Sequence, residues 1–206
     1  ASDVYKRQHP LQLALDVQGA MSDGDWLVID GGNTHFWSEI AVNIAGFQGK
    51  KLGGILHPGT FSLLGVGVSF AVSAKNVDPN RNVVLISGDG AFLSGGLSIE
   101  AAFQENRPIV VVIDNNGGLD CISQQQERLF ASGTHYATDF RDIPFHAMFE
   151  GLGGHGELVT RREDIIPAVQ RAMASGKTAC VNVKVKGVIS PIVLATTSKR
   201  DKASIE

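Results

Sequence analysis

Hydrophobic and polar positions along the chain switch repeatedly between a helical and an extended period. Residues 10–21 (PLQLALDVQGAM) carry apolar side chains at helical spacing and predict a helix, closed by the turn residues Ser22, Asp23, Gly24 and Asp25. Short apolar runs follow at 26–29 (WLVI), 55–56, 82–87 (NVVLIS), 108–113 (PIVVVI), 158–159 and 179–185. The runs at 82–87 and 108–113 show no alternation, the pattern of strands buried on both faces of a parallel sheet. Helical stretches fall between the runs at 36–44, 61–75, 97–104, 143–149 and 162–174. Strands and helices in this alternation predict βαβ units. The fold class is therefore α/β, a doubly wound and mostly parallel sheet with helices on both faces.

A length of 206 residues suits one such domain, and 43% hydrophobic with 19% charged residues is ordinary for a globular chain. The domain is expected over 9–195. Residues 1–8 change character at His9-Pro10 and read as a non-native remnant, and 196–206 read as a polar tail. A net charge of -3 argues against nucleic acid or an anionic membrane as a partner. The greasiest stretch, 61–74, is interrupted by Gly65 and Gly67 and is too short to span a bilayer. Cys121 and Cys180 match no metal or redox spacing and read as free thiols, so a cytoplasmic location is expected.

Chemistry concentrates where strands end. In open α/β sheets, ligands bind outside the carboxyl ends of the strands. Three polar, glycine-rich loops leave such ends: DGGNTH (30–35), GDG (88–90) and DNNGG (114–118). The last two follow successive strands, which brings the Asp89 carboxylate and the Asn116 amide oxygen within reach of one ion. One carboxylate, one amide oxygen and a backbone carbonyl form an incomplete oxygen set, suited to Mg2+ that completes its shell with phosphate and water. Gly90 lets the backbone approach a diphosphate, and Gly117 and Gly118 turn the chain toward the metal. Singly, GDG and NNG are common strand-exit turns. A dinucleotide site is the competing reading, but Gly65-Val66-Gly67 has no third glycine in place and no strand feeding it. His35 and His57 stand beside these loops and are candidates for a role in the site, although a lone histidine is more often structural.

GDG, a helix, a hydrophobic strand and then NN resembles the motif of thiamine-diphosphate-dependent enzymes, in particular the acetolactate synthase, oxalyl-CoA decarboxylase and 2-hydroxyacyl-CoA lyase group. The resemblance extends from about His9 to Pro191. It implies Asp89, Asn116 and the Gly118 carbonyl as Mg2+ ligands. It implies cofactor contacts from Asn33 and Thr34, from Gly88, Gly90 and Ala91, and from Leu119. The segment PGTFSLLGVGVSFAV (58–72) resembles the one beneath the aminopyrimidine and thiazolium rings. There Leu64 takes the place of the bulky residue that bends the cofactor, often Met in the lyase branch. The Ser62 carbonyl would accept from the aminopyrimidine, at a position where the family usually has Gly. Ile122 and Gln125 align with substrate-facing positions of acetolactate synthases without that branch's aromatic residue.

In the family a glutamate on a separate pyrimidine-binding domain completes the site across a subunit interface, so the catalytic residue is expected outside these residues. The chain is expected to pair with such a domain, of the same chain or of a partner subunit, within a homodimer or homotetramer. Two branches remain open. DGGNT, PGTF and GVG are more like the lyase and decarboxylase branch, whereas QQQERLF (124–130) followed by Tyr136-Ala137-Thr138-Asp139 is more like acetolactate synthase. Lys199, Arg200 and Lys202 are the nearest basic cluster for a CoA phosphate and read as solvated tail residues. The reading taken is an acetolactate-synthase-like enzyme acting on a small 2-oxoacid. A non-catalytic nucleotide- or phosphate-binding module on the same fold is the alternative of another class.

Overall fold

The computed structural model describes residues 8–130 and 132–197. Residues 1–7 of the expected remnant, and the basic residues Lys199, Arg200 and Lys202, lie outside the described residues. Gln8 is part of the fold: it bridges to Val185 and its carbonyl accepts the Lys186 N–H at 2.8 Å.

Helix α1 (Pro10–Ala20) precedes strand β1 (Trp26–Asp30), α2 (Asn33–Phe47) and β2 (Gly54–Leu56). A 3-10 turn (Gly59–Phe61), α3 (Gly67–Val77), β3 (Val83–Gly88) and α4 (Asp89–Gly95) follow, then a second 3-10 turn (Gly96–Ile99) and α5 (Glu100–Gln104). Next come β4 (Val110–Asn115), α6 (Asp120–Leu129), α7 (Phe145–Gly151) and β5 (His155–Val159). A third 3-10 turn (Arg162–Asp164), α8 (Ile165–Ala174), β6 (Ala179–Lys184) and α9 (Pro191–Thr197) close the order. The six strands form one sheet in the order β2-β1-β3-β4-β6-β5, and every pairing is parallel.

β3 and β4 are buried at every residue, as their unbroken apolar runs require. One core joins Leu13 and Val17 of α1, Ala41 of α2 and Val169 of α8 to Ile86 and Val112 on one face. The other joins Val68 and Val72 of α3, Phe92 of α4 and Phe145 and Phe149 of α7 to Leu85 and Ile113 on the opposite face. Helices thus cover both faces, as doubly wound sheets demand.

Several elements differ from the sequence reading. The helix expected over 97–104 is replaced by α4, a 3-10 turn and α5 over 89–104, and residues 191–197 form α9. Two further differences border the site. The helix expected over 61–75 begins only at Gly67. Gly65 has φ +90, which ends any helix there, and the Asp30 carboxylate accepts the Gly65 N–H at 3.0 Å and the Gly67 N–H at 2.7 Å. A strand-end aspartate thus fixes where α3 starts. Residues 120–129, given no element from sequence, form α6.

β1 neighbours both β2 and β3, so the chain winds outward in opposite directions from this pair. The loop after β1 enters α2 on one face and the loop after β3 enters α4 on the other. The crevice this reversal opens is where ligands bind in such sheets.

Candidate cofactor site

A cleft of about 310 Å³ occupies that crevice, walled by residues 31–36, Ser62, Leu64, residues 88–91, Asn116 and residues 118–122. All eleven sequence-derived site residues line it: Asn33, Thr34, Ser62, Leu64, Gly88, Asp89, Gly90, Ala91, Asn116, Gly118 and Leu119.

The floor is built from the ends of β3 and β4, paired in register with Gly88 beside Asp114. Asp89 is buried, and its Oδ2 accepts from the N–H groups of Gly117 (2.8 Å) and Gly118 (3.1 Å) while Oδ1 accepts from Gly90 (2.7 Å). Asn116 Oδ1 accepts the same Gly118 N–H at 3.2 Å. Both side-chain oxygens therefore lie against the Gly118 N–H, which brings them close to each other.

Gly118 is held there by an antiparallel bridge to Asp139. The Gly117 carbonyl accepts from Phe140 N and the Thr138 carbonyl from Leu119 N, both at 2.8 Å. This pattern leaves the N–H and C=O of Gly118 itself off the ladder. A side chain at 118 would collide with the Thr138 carbonyl, so glycine is required.

Three carboxylates crowd this floor. Burial pushes Asp89 up to about 6, with Asp120 adding repulsion. Burial pushes Asp114 up to about 7 despite the 2.8 Å hydrogen bond from Thr34 Oγ1, and Asp89 and Asp120 raise it further. Asp120 is also raised by burial. The second Asp114 oxygen, Oδ1, is buried without a hydrogen bond. No Lys or Arg lines the cleft among the described residues. Desolvated carboxylates without a counter-charge are what a bound cation relieves.

The opposite wall is the N-terminus of α2. Its N-cap, Gly32, supplies no side-chain cap, so the first N–H groups of a fifteen-residue helix face the cleft. Uncapped helix N-termini attract anions through those groups and the helix dipole. Asn33 is fixed by α6 and the chain after β6: its Nδ2 donates to Gln124 Oε1 (3.0 Å) and Asp120 Oδ2 (3.4 Å), and its Oδ1 accepts from Ser190 N (3.0 Å).

Ser62 and Leu64 form the third wall. Ser62 adopts φ +50, a conformation that favours glycine, the residue the resemblance implies at this position. Leu64 is 36% exposed at the cleft edge, with Leu63 at 58% and Phe61 at 91% beside it.

His35 lines the cleft, whereas His57 does not. Ile122 lines it, and Gln125 turns instead toward Cys121 Sγ at 3.5 Å. Sequence reasoning missed Asp114, Asp120 and Cys121. Asp114 was legible as part of DNN, but its burial beneath Thr34 depends on the pairing of distant strands.

The arrangement offers a cation site and an anion-attracting helix end on facing walls, the division of labour that a metal-bound diphosphate needs. Comparison with known proteins supports the diphosphate cofactor. Residues 30–183 match the family described as thiamine pyrophosphate enzyme, C-terminal TPP binding domain. A probable acetolactate synthase of Mycobacterium bovis is 34% identical over 181 residues, covering 85% of this chain and 31% of that protein. 2-Hydroxyacyl-CoA lyase 2 of Bos taurus is 27% identical over 187 residues, covering 87% of this chain and 28% of that protein. Among solved structures, the Rhodococcus jostii RHA1 thiamine diphosphate-dependent 4-hydroxybenzoylformate decarboxylase superposes with a TM-score of 0.73 at 26% identity, covering 92% of this chain and 35% of that one. The chain thus spans about a third of the length of these relatives. It belongs to the thiamine pyrophosphate enzyme family, as the C-terminal domain that binds the cofactor.

Proposed function

We propose that this chain holds thiamine diphosphate through Mg2+ bound by Asp89, Asn116 and the Gly118 carbonyl, as part of an acetolactate-synthase-like enzyme that decarboxylates or joins small 2-oxoacids. The observation that carries the metal assignment is the convergence of Asp89 Oδ2 and Asn116 Oδ1 on the Gly118 N–H, at 3.1 and 3.2 Å. Two side-chain oxygens and an off-ladder carbonyl leave positions for diphosphate oxygens and water, as Mg2+ prefers. Buried, repelling carboxylates beside an uncapped helix end suit a cation on one side and a diphosphate on the other.

When bound, thiamine diphosphate supplies a reactive thiazolium carbon that makes and breaks bonds beside a carbonyl. The residues of this chain bind and orient it. Asn33 and Thr34 present the α2 N-terminus to the diphosphate, Gly90 and Ala91 carry the backbone past it, and Leu119 closes over Gly90. Leu64 would hold the rings of the bound cofactor apart, the Ser62 carbonyl would accept from the aminopyrimidine, and Ile122 would face the substrate. Among the described residues no glutamate lines the cleft. The proton-moving glutamate is assigned to a pyrimidine-binding domain of the same polypeptide or of a partner subunit, in a homodimer or homotetramer.

The 34% identity to the probable acetolactate synthase supports the 2-oxoacid reading, while a catabolic acetolactate synthase of Raoultella terrigena and the lyase are both 27% identical. The metal assignment is tested by calorimetry. Asp89→Ala and Asn116→Ala are expected to abolish Mg2+-dependent cofactor binding while circular dichroism stays unchanged. Unaltered affinity in Asp89→Ala would sink it.

A further inference from the structure

Outside the Asp89 and Asn116 centre, three metal-ligating side chains meet on the flank of the cleft. His35 and Glu39 stand one turn apart on α2, a spacing that puts both on one face of the helix. His57 reaches them from the loop after β2. One ligand atom from each lies within 4.8 Å of the other two. His35 Nε2 is 2.9 Å from Glu39 Oε1, and His57 Nδ1 is 3.9 Å from the same oxygen. The two imidazoles meet edge to face with centroids 5.0 Å apart.

We propose that His35, Glu39 and His57 form a binding site for a divalent transition-metal ion, Zn2+ by its ligand set, separate from the Mg2+ centre. Two imidazoles and one carboxylate make a borderline nitrogen and oxygen set, which Zn2+ accepts with a fourth position left for water. In a tetrahedral shell with bonds near 2.0–2.2 Å, ligand atoms stand about 3.3–3.5 Å apart. The separations of 2.9 and 3.9 Å to Glu39 straddle that value, and the two imidazole nitrogens lie within 4.8 Å of each other, so rotation of the partly exposed His57 ring toward His35 and Glu39 completes the set. A hydrogen bond accounts for the His35–Glu39 pair, but His57 is too far from Glu39 for one and still close enough to share an ion.

Exposure also fits. The His35 side chain is 7% exposed and its ring is therefore held, whereas Glu39 and His57 are each 37% exposed and leave the ion a route in. A hollow of about 400 Å³, walled in part by Glu39, Asn43 and His57, opens beside them. The competing partner is weak: His57 Nδ1 accepts the Gly59 N–H at 3.2 Å on an exposed loop.

A bound ion would tie α2, which presents Asn33 and Thr34, to the segment leading through Gly59 to Ser62 and Leu64. It would staple two walls of the cleft together without touching its floor. This site does not depend on the reading of Asp89 and Asn116, and the experiment keeps the two apart.

The chain is freed of metal with a chelator and titrated with Zn2+ against a chromogenic competitor, then with Co2+ while visible absorption is followed. One equivalent should bind, Co2+ should develop tetrahedral d–d bands, and Zn2+ should raise the unfolding midpoint. Glu39→Gln and His57→Gln alter side chains that are over a third exposed, so circular dichroism should be unchanged. Each should lose at least about tenfold in affinity, the loss that even outer partners of a metal site cause. Asp89→Ala, and His135→Gln in the separate cluster with Glu127 and Asp139, should bind Zn2+ like the parent, and excess Mg2+ should not displace it. Parent-like affinity in His57→Gln, or no uptake by the parent chain, would overturn the proposal.

Discussion

Asp89 and Asp114 are carboxylates whose burial costs more than their hydrogen bonds return, and this has a measurable consequence. In the metal-free chain both hold protons above the ordinary carboxylate value of 3.8, Asp89 to about 6 and Asp114 to about 7. Between 3.8 and those values the folded chain binds protons that the unfolded chain has released, so stability falls as pH rises and levels off above the higher value. The loss is on the order of 1 kcal/mol for each pH unit that separates a raised value from the ordinary one. Urea unfolding midpoints measured from pH 4 to 8 should therefore decline, and in Asp114→Asn the decline should be half complete for Asp89 near 6 and level off about one pH unit above it. A profile that rises over this range would contradict the burial argument. The cysteines give a second expectation at this scale. Cys180 is fully buried with its thiol pushed far up, whereas Cys121 lines the cleft with its thiol raised by partial burial. Iodoacetamide should modify Cys121 slowly and Cys180 not at all in the folded chain, and thiamine diphosphate with Mg2+ should slow Cys121 further. Equal modification of both would contradict it. GDG and NN can be picked out in the sequence because each sits at the end of an unbroken apolar run. Asp120 and Cys121 cannot, since they reach the cleft only after the Gly118–Asp139 bridge has turned the chain.

Elements are legible where one period rules. β3 and β4 are buried on both faces, so nothing polar interrupts them and their ends stand out. Periodicity starts α3 too early because 61–66 is apolar enough to continue a helical pattern. What stops it is the Asp30 carboxylate and the φ of Gly65, neither of which leaves a periodic trace. α6 escapes detection for the opposite reason: DCISQQQERL is polar on most of its surface, and of its ten residues only Ser123 is buried. Its start is set instead by Leu119, whose carbonyl takes the Ile122 N–H at 2.8 Å and the Ser123 N–H at 3.0 Å. The contact between the loop before α3 and the end of α4 gives an element-scale test. A Cβ on Gly95 would enter the Gly65 carbonyl, so Gly95→Ala must push α4 away from α3. The expected cost is about 1–3 kcal/mol, read as a lower urea midpoint at unchanged slope. Because α4 carries Asp89, cofactor affinity should weaken in the same variant. Parent-like values for both would show that α4 yields without strain.

At the scale of the whole molecule, the parallel sheet places the carboxylate-lined floor, the α2 N-terminus and the Leu64 wall around one cleft, yet leaves that cleft open on an apolar side. Phe61, Leu63 and Leu64 are exposed there, with Leu93 and Leu97 exposed on α4 and the 3-10 turn after it. Exposed apolar side chains beside a ligand cleft are where, on the proposed function, a pyrimidine-binding domain would pack. With no glutamate among the described residues lining the cleft, the same surface is where the proposed proton-moving glutamate would arrive. Binding and turnover should consequently separate. The chain alone should bind thiamine diphosphate with Mg2+ yet release no CO2 from pyruvate, whereas an enzyme joining this chain to a pyrimidine-binding domain should turn pyruvate over. Comparing pyruvate with oxalyl-CoA and a 2-hydroxyacyl-CoA in that joined enzyme decides the branch. Turnover of a CoA thioester with none of pyruvate would reject the acetolactate-synthase-like reading and leave the cofactor site standing. Turnover by the isolated chain, free of contaminating enzyme, would instead show that a group within these residues moves the proton.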